Sequence, residues 1–190
     1  MYHNVEPTMK VIKIILITIL MSTTTSAQKF IPIENDSKIK FAIKNFGLTV
    51  DGTFSGLTGT LTVNNESIEK SEIALSVNAA SVNTENKARD KHLKNEDYFD
   101  VATHPLISFK STKITKTTGL HKFVVVGNLT IKGITKPTEV VATITTKEGV
   151  KLIKGTFEVS RKTFKIGDRS MVLSDSVKLN VSISCKEVQP

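Results

Sequence analysis

The chain has 190 residues, a formal net charge of +8, one cysteine and no tryptophan. That length suits one domain behind a short leader, and a single cysteine excludes an internal disulfide, so burial and backbone hydrogen bonds must hold the fold. The positive balance does not indicate a nucleic-acid protein: lysines are spread from Lys29 to Lys186 and arginine occurs only at Arg89, Arg161 and Arg169, which fits a solvated basic surface with at most weak attraction to anionic membranes.

In chain order, the first element is a leader. Lys10 and Lys13 precede the apolar run Ile14–Met21, and Ser22 to Ala27 are small or hydroxylated. This is the layout of a secretory signal, with cleavage expected between Ala27 and Gln28 and with Met9 a candidate initiator. The run is roughly half the length a membrane span needs. The only cysteine, Cys185, lies far from the cut, so lipoprotein acylation is chemically excluded. Residues 1–27 are therefore expected to be removed, leaving one domain, 28–190, free in the periplasm or outside the cell.

Period-two alternation then recurs in eight segments: Lys38–Phe46, Phe54–Val63, Ser71–Ala80, Leu106–Thr115, His121–Ile131, Thr138–Thr146, Lys151–Ser160 and Ser176–Cys185. The last is the clearest, with Val177, Leu179, Val181, Ile183 and Cys185 alternating with Lys178, Asn180, Ser182 and Ser184. Cys185, at its end, reads as a packed core thiol. Turn residues at Asn64-Asn65, Thr118-Gly119, Lys132-Gly133 and Glu148-Gly149 predict hairpins between sequential neighbours.

Two intervals break the pattern. Asn83–Pro105 carries helix formers, with Asn83 or Thr84 as N-cap, Ala88 and Leu93 facing the sheet, and Asp90 and Lys94 spaced for a surface ion pair. Tyr98 and Phe99 are expected to pack this excursion onto the sheet or close its end. Arg161–Asp175 mixes apolar and charged residues without a period, as a mouth loop or an imperfect strand pair would.

The fold class is thus all-β: an eight-stranded antiparallel barrel, which removes sheet edges, with a short helical excursion between the third and fourth strands. At eight strands the interior either fills with side chains or holds one slim ligand, and a filled sandwich would write the same alternation. The inward ladders supply the candidate lining: Ile39 and Phe41; Ile73, Leu75 and Val77; Ile107 and Phe109; Phe123, Val125 and Leu129; Phe157 and Val159; Leu179, Val181 and Ile183.

Catalytic signals are weak. Gly52-Thr53-Phe54-Ser55-Gly56 misses the spacing of a serine-hydrolase elbow. His92, His104 and His121 are dispersed, and Asp90 and His92 would diverge on a helix, so no metal site or cofactor is expected.

Several stretches carry a family pattern. They are Ser81-Val82-Asn83-Thr84, Arg89-Asp90-Lys91-His92-Leu93, Tyr98-Phe99-Asp100, His104-Pro105-Leu106-Ile107-Ser108-Phe109-Lys110-Ser111 and the hairpin Gly127 to Pro137, followed by Phe157, Arg161 and Phe164. In this order they resemble the YceI-like family of bacterial periplasmic lipid-binding proteins. The resemblance implies a lipocalin-like barrel whose apolar tunnel takes a polyisoprenoid or fatty-acyl lipid, with no catalytic residues to carry over and with homodimers common. Within it, Arg89, Asp90 and Arg161 either pin the excursion to the barrel through ion pairs, or Asn83, Arg89 and His92 meet a lipid head group at the mouth. The rival functions are a secreted enzyme acting on lipid, which needs a polar group inside the tunnel, and a ligand-free structural β-sandwich.

Overall fold

The computed structural model describes residues 27–167 and 170–188, so the expected leader lies outside the described residues except for Ala27. Ten strands run in chain order: β1 (Gln28–Pro32), β2 (Lys38–Asn45), β3 (Leu48–Phe54), β4 (Thr58–Val63), β5 (Glu72–Asn78), β6 (Leu106–Lys116), β7 (Lys122–Ile131), β8 (Ile134–Lys147), β9 (Val150–Ser160) and β10 (Leu173–Glu187). Among the described residues the one α-helix, α1, is Lys87–Leu93.

All pairings are antiparallel, and β4 to β10 pair in sequence. β1 joins β4 on one side and β10 on the other, which closes an eight-stranded ring. β2 and β3 prolong two walls of this ring. The long β10 shows how: its residues Leu173 to Ser182 pair with β2 and Cys185 to Glu187 pair with β1. β1 and β2 are therefore one wall interrupted by the turn at Glu34–Asp36. There the Ser37 hydroxyl donates to the Ile33 carbonyl (2.7 Å) and accepts from the Ser184 N–H (3.1 Å), keeping backbone groups paired across the break.

β3 and β4 are the matching interrupted wall, with one difference. β4 pairs fully with β5, but β3 diverges, held on that side by a bridge from Thr53 to Asn83, by the Asn78 N–H to Ser55 carbonyl bond (3.0 Å) and by the Ser81 hydroxyl on the Ser55 main chain. The wedge so opened is where the chain leaves β5 for the excursion that carries α1. Phe99 of the excursion meets Phe54 of β3 edge-to-face, ring centroids 5.4 Å apart.

Three of the hairpins are two-residue turns with both central φ values positive: Phe46-Gly47 (50° and 77°), Lys132-Gly133 (51° and 69°) and Glu148-Gly149 (52° and 80°). Such turns match the right-handed twist of the flanking strands. The first falls at the end of the expected Lys38–Phe46 segment, and most of β3 falls in the interval 47–53, where the pattern assigns no strand. The ladder of β3 was hidden because its central inward position is Gly52, over which the Phe41 ring lies so closely that a Cβ would sit 2.2 Å from it. β1 was missed too, being five residues long and containing Pro32. β10 begins at Leu173 rather than Ser176, with a register irregularity before Val177.

The interior is not uniform along the axis. At the end built from β1, β4, the far half of β6 and the last turn of β10, Phe30, Leu61, Ile114 and Cys185 are no more than 2% exposed and pack with Val63, Ile73 and Ile183. Burial pushes the Cys185 thiol up from 9.0 to about 11, as for a thiol that packs as a small apolar group.

Candidate functional site

Toward the other end the ladders stop filling the space. An inner cavity of about 120 Å³ lies against Ile73, Leu75, Phe109, Val125, Phe157, Val181 and Ile183. An outer cavity of about 320 Å³ lies against Phe41, Ile43, Val50, Phe54 and Val159 from the walls and Leu93, Tyr98 and Phe99 from the excursion. Ile39, Val77, Ile107, Leu129 and Leu179 border both. The two are thus successive parts of one apolar passage, blind at the packed end, and the outer part alone reaches the lower size range of small-molecule sites, about 300–1,000 Å³.

The alternation-derived lining divides accordingly. All of Ile39, Phe41, Ile73, Leu75, Val77, Ile107, Phe109, Val125, Leu129, Phe157, Val159, Leu179, Val181 and Ile183 border the passage. Phe123 does not. It faces a separate groove beyond the packed end, with Val63, Asn64, Leu120 and His121. Alternation gives a side chain's face of the wall but not its height along the axis, and Phe123 begins β7 on the far side of the plug.

Other wall positions add to the lining. Val140, Ala142 and Ile153 alternate inside segments read as strands, so their signal was present. Phe54 and Leu57 lie in the expected Phe54–Val63 segment, Val50 comes from the strand that the pattern hides, and Phe164, Ile166 and Leu173 come from the aperiodic stretch.

The inner cavity meets polar side chains only at Ser76 and Ser108, whereas Asn45, Thr84, Arg89, His92, Tyr98 and Arg161 border the outer one, and Thr84 organises those at the start of the excursion. Its hydroxyl accepts from Arg89 Nε (2.8 Å) and donates to Asp90 Oδ1, while its carbonyl takes Arg89 Nη2 (2.9 Å) and its N–H reaches Asp90 Oδ1 (2.8 Å). One buried threonine thus bridges the two charges. Asp90 serves the start of the excursion rather than pairing with Lys94, and the helix cap is Asn86, whose side chain accepts the Arg89 N–H (3.0 Å), rather than Asn83 or Thr84. Arg89 and His92 border the outer cavity, and the His92 ring lies 4.7 Å from that of Tyr98. Asn83 stays on the surface, its backbone paired with Thr53 and its side chain accepting the Glu85 N–H.

Arg161 is 2% exposed, yet it does not join Arg89 and Asp90. It donates to the carbonyls of Ser174 (3.0 Å), Ile166 (2.9 Å) and Gly167 (3.2 Å) and faces Asp175 Oδ1 at 3.4 Å. It therefore folds the Arg161–Asp175 stretch onto itself. That stretch touches the excursion through the main chain instead, from the Gly167 N–H to the Asp97 carbonyl (2.7 Å). The expected three-residue electrostatic pin is replaced by two local hubs, one on Thr84 and one on Arg161.

Ser55 lies on the turn between β3 and β4, its N–H and carbonyl both bonded to Ser81 Oγ, and it does not border the passage. Among the described residues no three His, Cys, Asp or Glu side chains gather as a metal site would require.

A family model described as a YceI-like domain matches residues 33–185. The chain belongs to the YceI-like family. Relatives include a UPF0312 protein of Azotobacter vinelandii, 34% identical over 105 residues, which are 55% of this chain and 54% of that one. Another from Pseudomonas savastanoi pv. phaseolicola is 37% identical over 106 residues, 55% of each chain. This YceI-like chain thus spans about half the length of the curated relatives it matches. Among solved structures, Burkholderia cenocepacia BcnA superposes with a TM-score of 0.76 at 21% identity, covering 80% of this chain and 98% of that one. The Campylobacter jejuni YceI protein gives 0.66 at 26% identity over 74% and 86%. A polyisoprenoid binding domain from Saccharophagus degradans gives 0.68 at 12% identity over 86% and 100%.

Proposed function

We propose that this chain is an exported, non-catalytic carrier that holds the tail of a long-chain isoprenoid or similar amphiphilic lipid in the blind passage. The observation that carries this reading is the passage itself: apolar along its depth apart from Ser76 and Ser108, stopped by the Phe30–Leu61–Ile114–Cys185 plug, and bordered by ionisable side chains only at its outer end, where Arg89, His92, Tyr98 and Arg161 lie. A single-tailed amphiphile fits that polarity, tail inward and head group beside Arg89 and His92. The polyisoprenoid binding named for the Saccharophagus degradans domain agrees with it. So does the leader-like start of the chain, which directs residues 28–190 to the periplasm.

The binding mechanism is desolvation. Each methylene buried contributes about 0.8 kcal/mol, so a long tail offsets the entropy of its ordering without directional bonds. Selectivity for the tail should be loose and selectivity for the head group set at the mouth. Binding rather than catalysis is favoured because the deep lining offers no acid or base to a bound tail.

The test is to recover the protein after export, sequence its N-terminus and extract it with organic solvent for mass spectrometry. A start at Gln28 and close to one long-chain amphiphile per protein are expected. Retention of Ile14–Met21 would overturn the free carrier, and a lipid-free protein that also binds no fluorescent prenyl or fatty-acyl probe would overturn lipid carriage.

A further inference from the structure

Around the mouth, four large apolar side chains point away from the protein. Phe46, at the tip of the β2–β3 hairpin, and Leu48, just after it, are 74% and 73% exposed, and of Met171 and Val172, which precede β10, Met171 is fully exposed and Val172 39% exposed. They form one patch, because the Phe46 N–H donates to the Val172 carbonyl (2.9 Å) and Asn45 pairs with both Leu48 and Leu173. Single exposed apolar residues need no explanation, but a contiguous group does.

Two further observations give the patch a direction. Asn45 and Leu173, which border the outer cavity, are the chain neighbours of Phe46 and Val172, so the patch is the outward continuation of the cavity rim. Phe46 also sits at φ 50°, a left-handed position that suits Asn, Asp or Gly and that a bulky side chain occupies at a cost. The equivalent positions of the other two such turns hold polar residues, the half-buried Lys132, whose ammonium donates to the Lys165 carbonyl (3.0 Å), and the exposed Glu148. A strained, exposed phenylalanine stabilises neither its turn nor the core. Lys44 and Lys165, both exposed, are on the adjoining β2 strand and mouth loop.

We propose that Phe46, Leu48, Met171 and Val172 form an apolar foot that seats the passage mouth on an anionic lipid bilayer, so that a lipid tail moves between membrane and barrel without crossing water. This rests on the carrier reading for its purpose but not for its test. Shallow insertion of a few apolar side chains with flanking lysines is the ordinary physics of interfacial binding.

The experiment is flotation of the mature protein with phosphatidylcholine–phosphatidylglycerol vesicles, alongside binding of a soluble fluorescent fatty acid without vesicles. The double substitution Phe46→Asn with Leu48→Ser should weaken vesicle partitioning about tenfold or more, given the apolar area removed, and leave affinity for the soluble probe unchanged. Val141→Ser, which removes a lone exposed apolar residue on the barrel wall, should change neither. Wild type that does not float, or a double variant that floats as well as wild type, would overturn the foot. So would a wild-type dimer that the double substitution dissociates while vesicle binding persists, since the patch would then be a contact between copies. Protein that floats yet holds no probe would sink the carrier reading and leave the foot standing.

Discussion

The two ends of this barrel are written in the same alternating strands, yet one is packed solid and the other is hollow. Where β1 links β4 to β10, the ladder is continuous around the ring and the inward side chains of every strand meet, leaving Leu61, Ile114 and Cys185 at most 1% exposed. Where β3 parts from β5, the ring is held open by a wedge of chain, and Phe54, Leu93 and Phe99 line the resulting space instead of filling it. Continuity of strand pairing, rather than hydrophobic content, decides which half of the interior is filled.

The largest expected effect lies at the packed end. Leu61→Ala leaves a cavity among neighbours fixed by complete ladders and should lower stability by about 2–5 kcal/mol in urea unfolding, with probe affinity little changed. A loss well below that would mean that this end is as loosely filled as the other.

The same end carries a pH signature. The folded Cys185 thiol stays protonated to about pH 11, whereas an exposed thiol ionises near pH 9.0, so from that pH the unfolded state gains by losing its proton first. The contribution is fully present below pH 9 and is lost as pH rises toward about 11, amounting to about 2–3 kcal/mol. Urea midpoints of wild type and Cys185→Ala across this window should therefore converge as pH rises. Parallel curves would place the thiol in contact with water.

At the hollow end a larger side chain should be tolerated. Leu75→Trp adds bulk beside the inner cavity, and a change in stability of less than about 1 kcal/mol together with lost probe binding is expected, where a filled core would lose about 1–3 kcal/mol by overpacking. Calorimetry and probe titration on the one variant separate these outcomes. Smallest of all, Phe46→Asn relieves a left-handed phenylalanine at the mouth and should raise stability by about 1 kcal/mol or less, seen as a small rise in Tm. A fall in Tm would mean that Phe46 supports the hairpin after all.

Much of the wall was legible before the structure. From β5 onward each apolar ladder is long enough to be read through a blank such as Gly127 in β7 or Gly155 in β9, whereas β3 offers only Val50 and Phe54 on either side of its blank, and the excursion shows itself as a loss of period. β3 was not legible, because Gly52 leaves a blank in its ladder that only the Phe41 ring from the neighbouring strand fills. Nor could the sequence show that Arg161 would turn to the carbonyls of its own loop, since main-chain acceptors carry no residue signature. Phe123 marks the deeper limit: its alternation is the same as that of Val125, but one faces the groove below the plug and the other the cavity above it. Height along the barrel axis depends on strand stagger, which a period of two does not record.

A hollow half standing on a packed half is tested most directly by titrating the mature protein with saturated fatty acids of increasing chain length in a calorimeter. Affinity should rise roughly fourfold per added methylene while the tail descends the passage, and then level off once the tail meets the plug around Ile73 and Ile183. An affinity that does not depend on chain length, or no binding at any length, would contradict a blind apolar passage in this barrel.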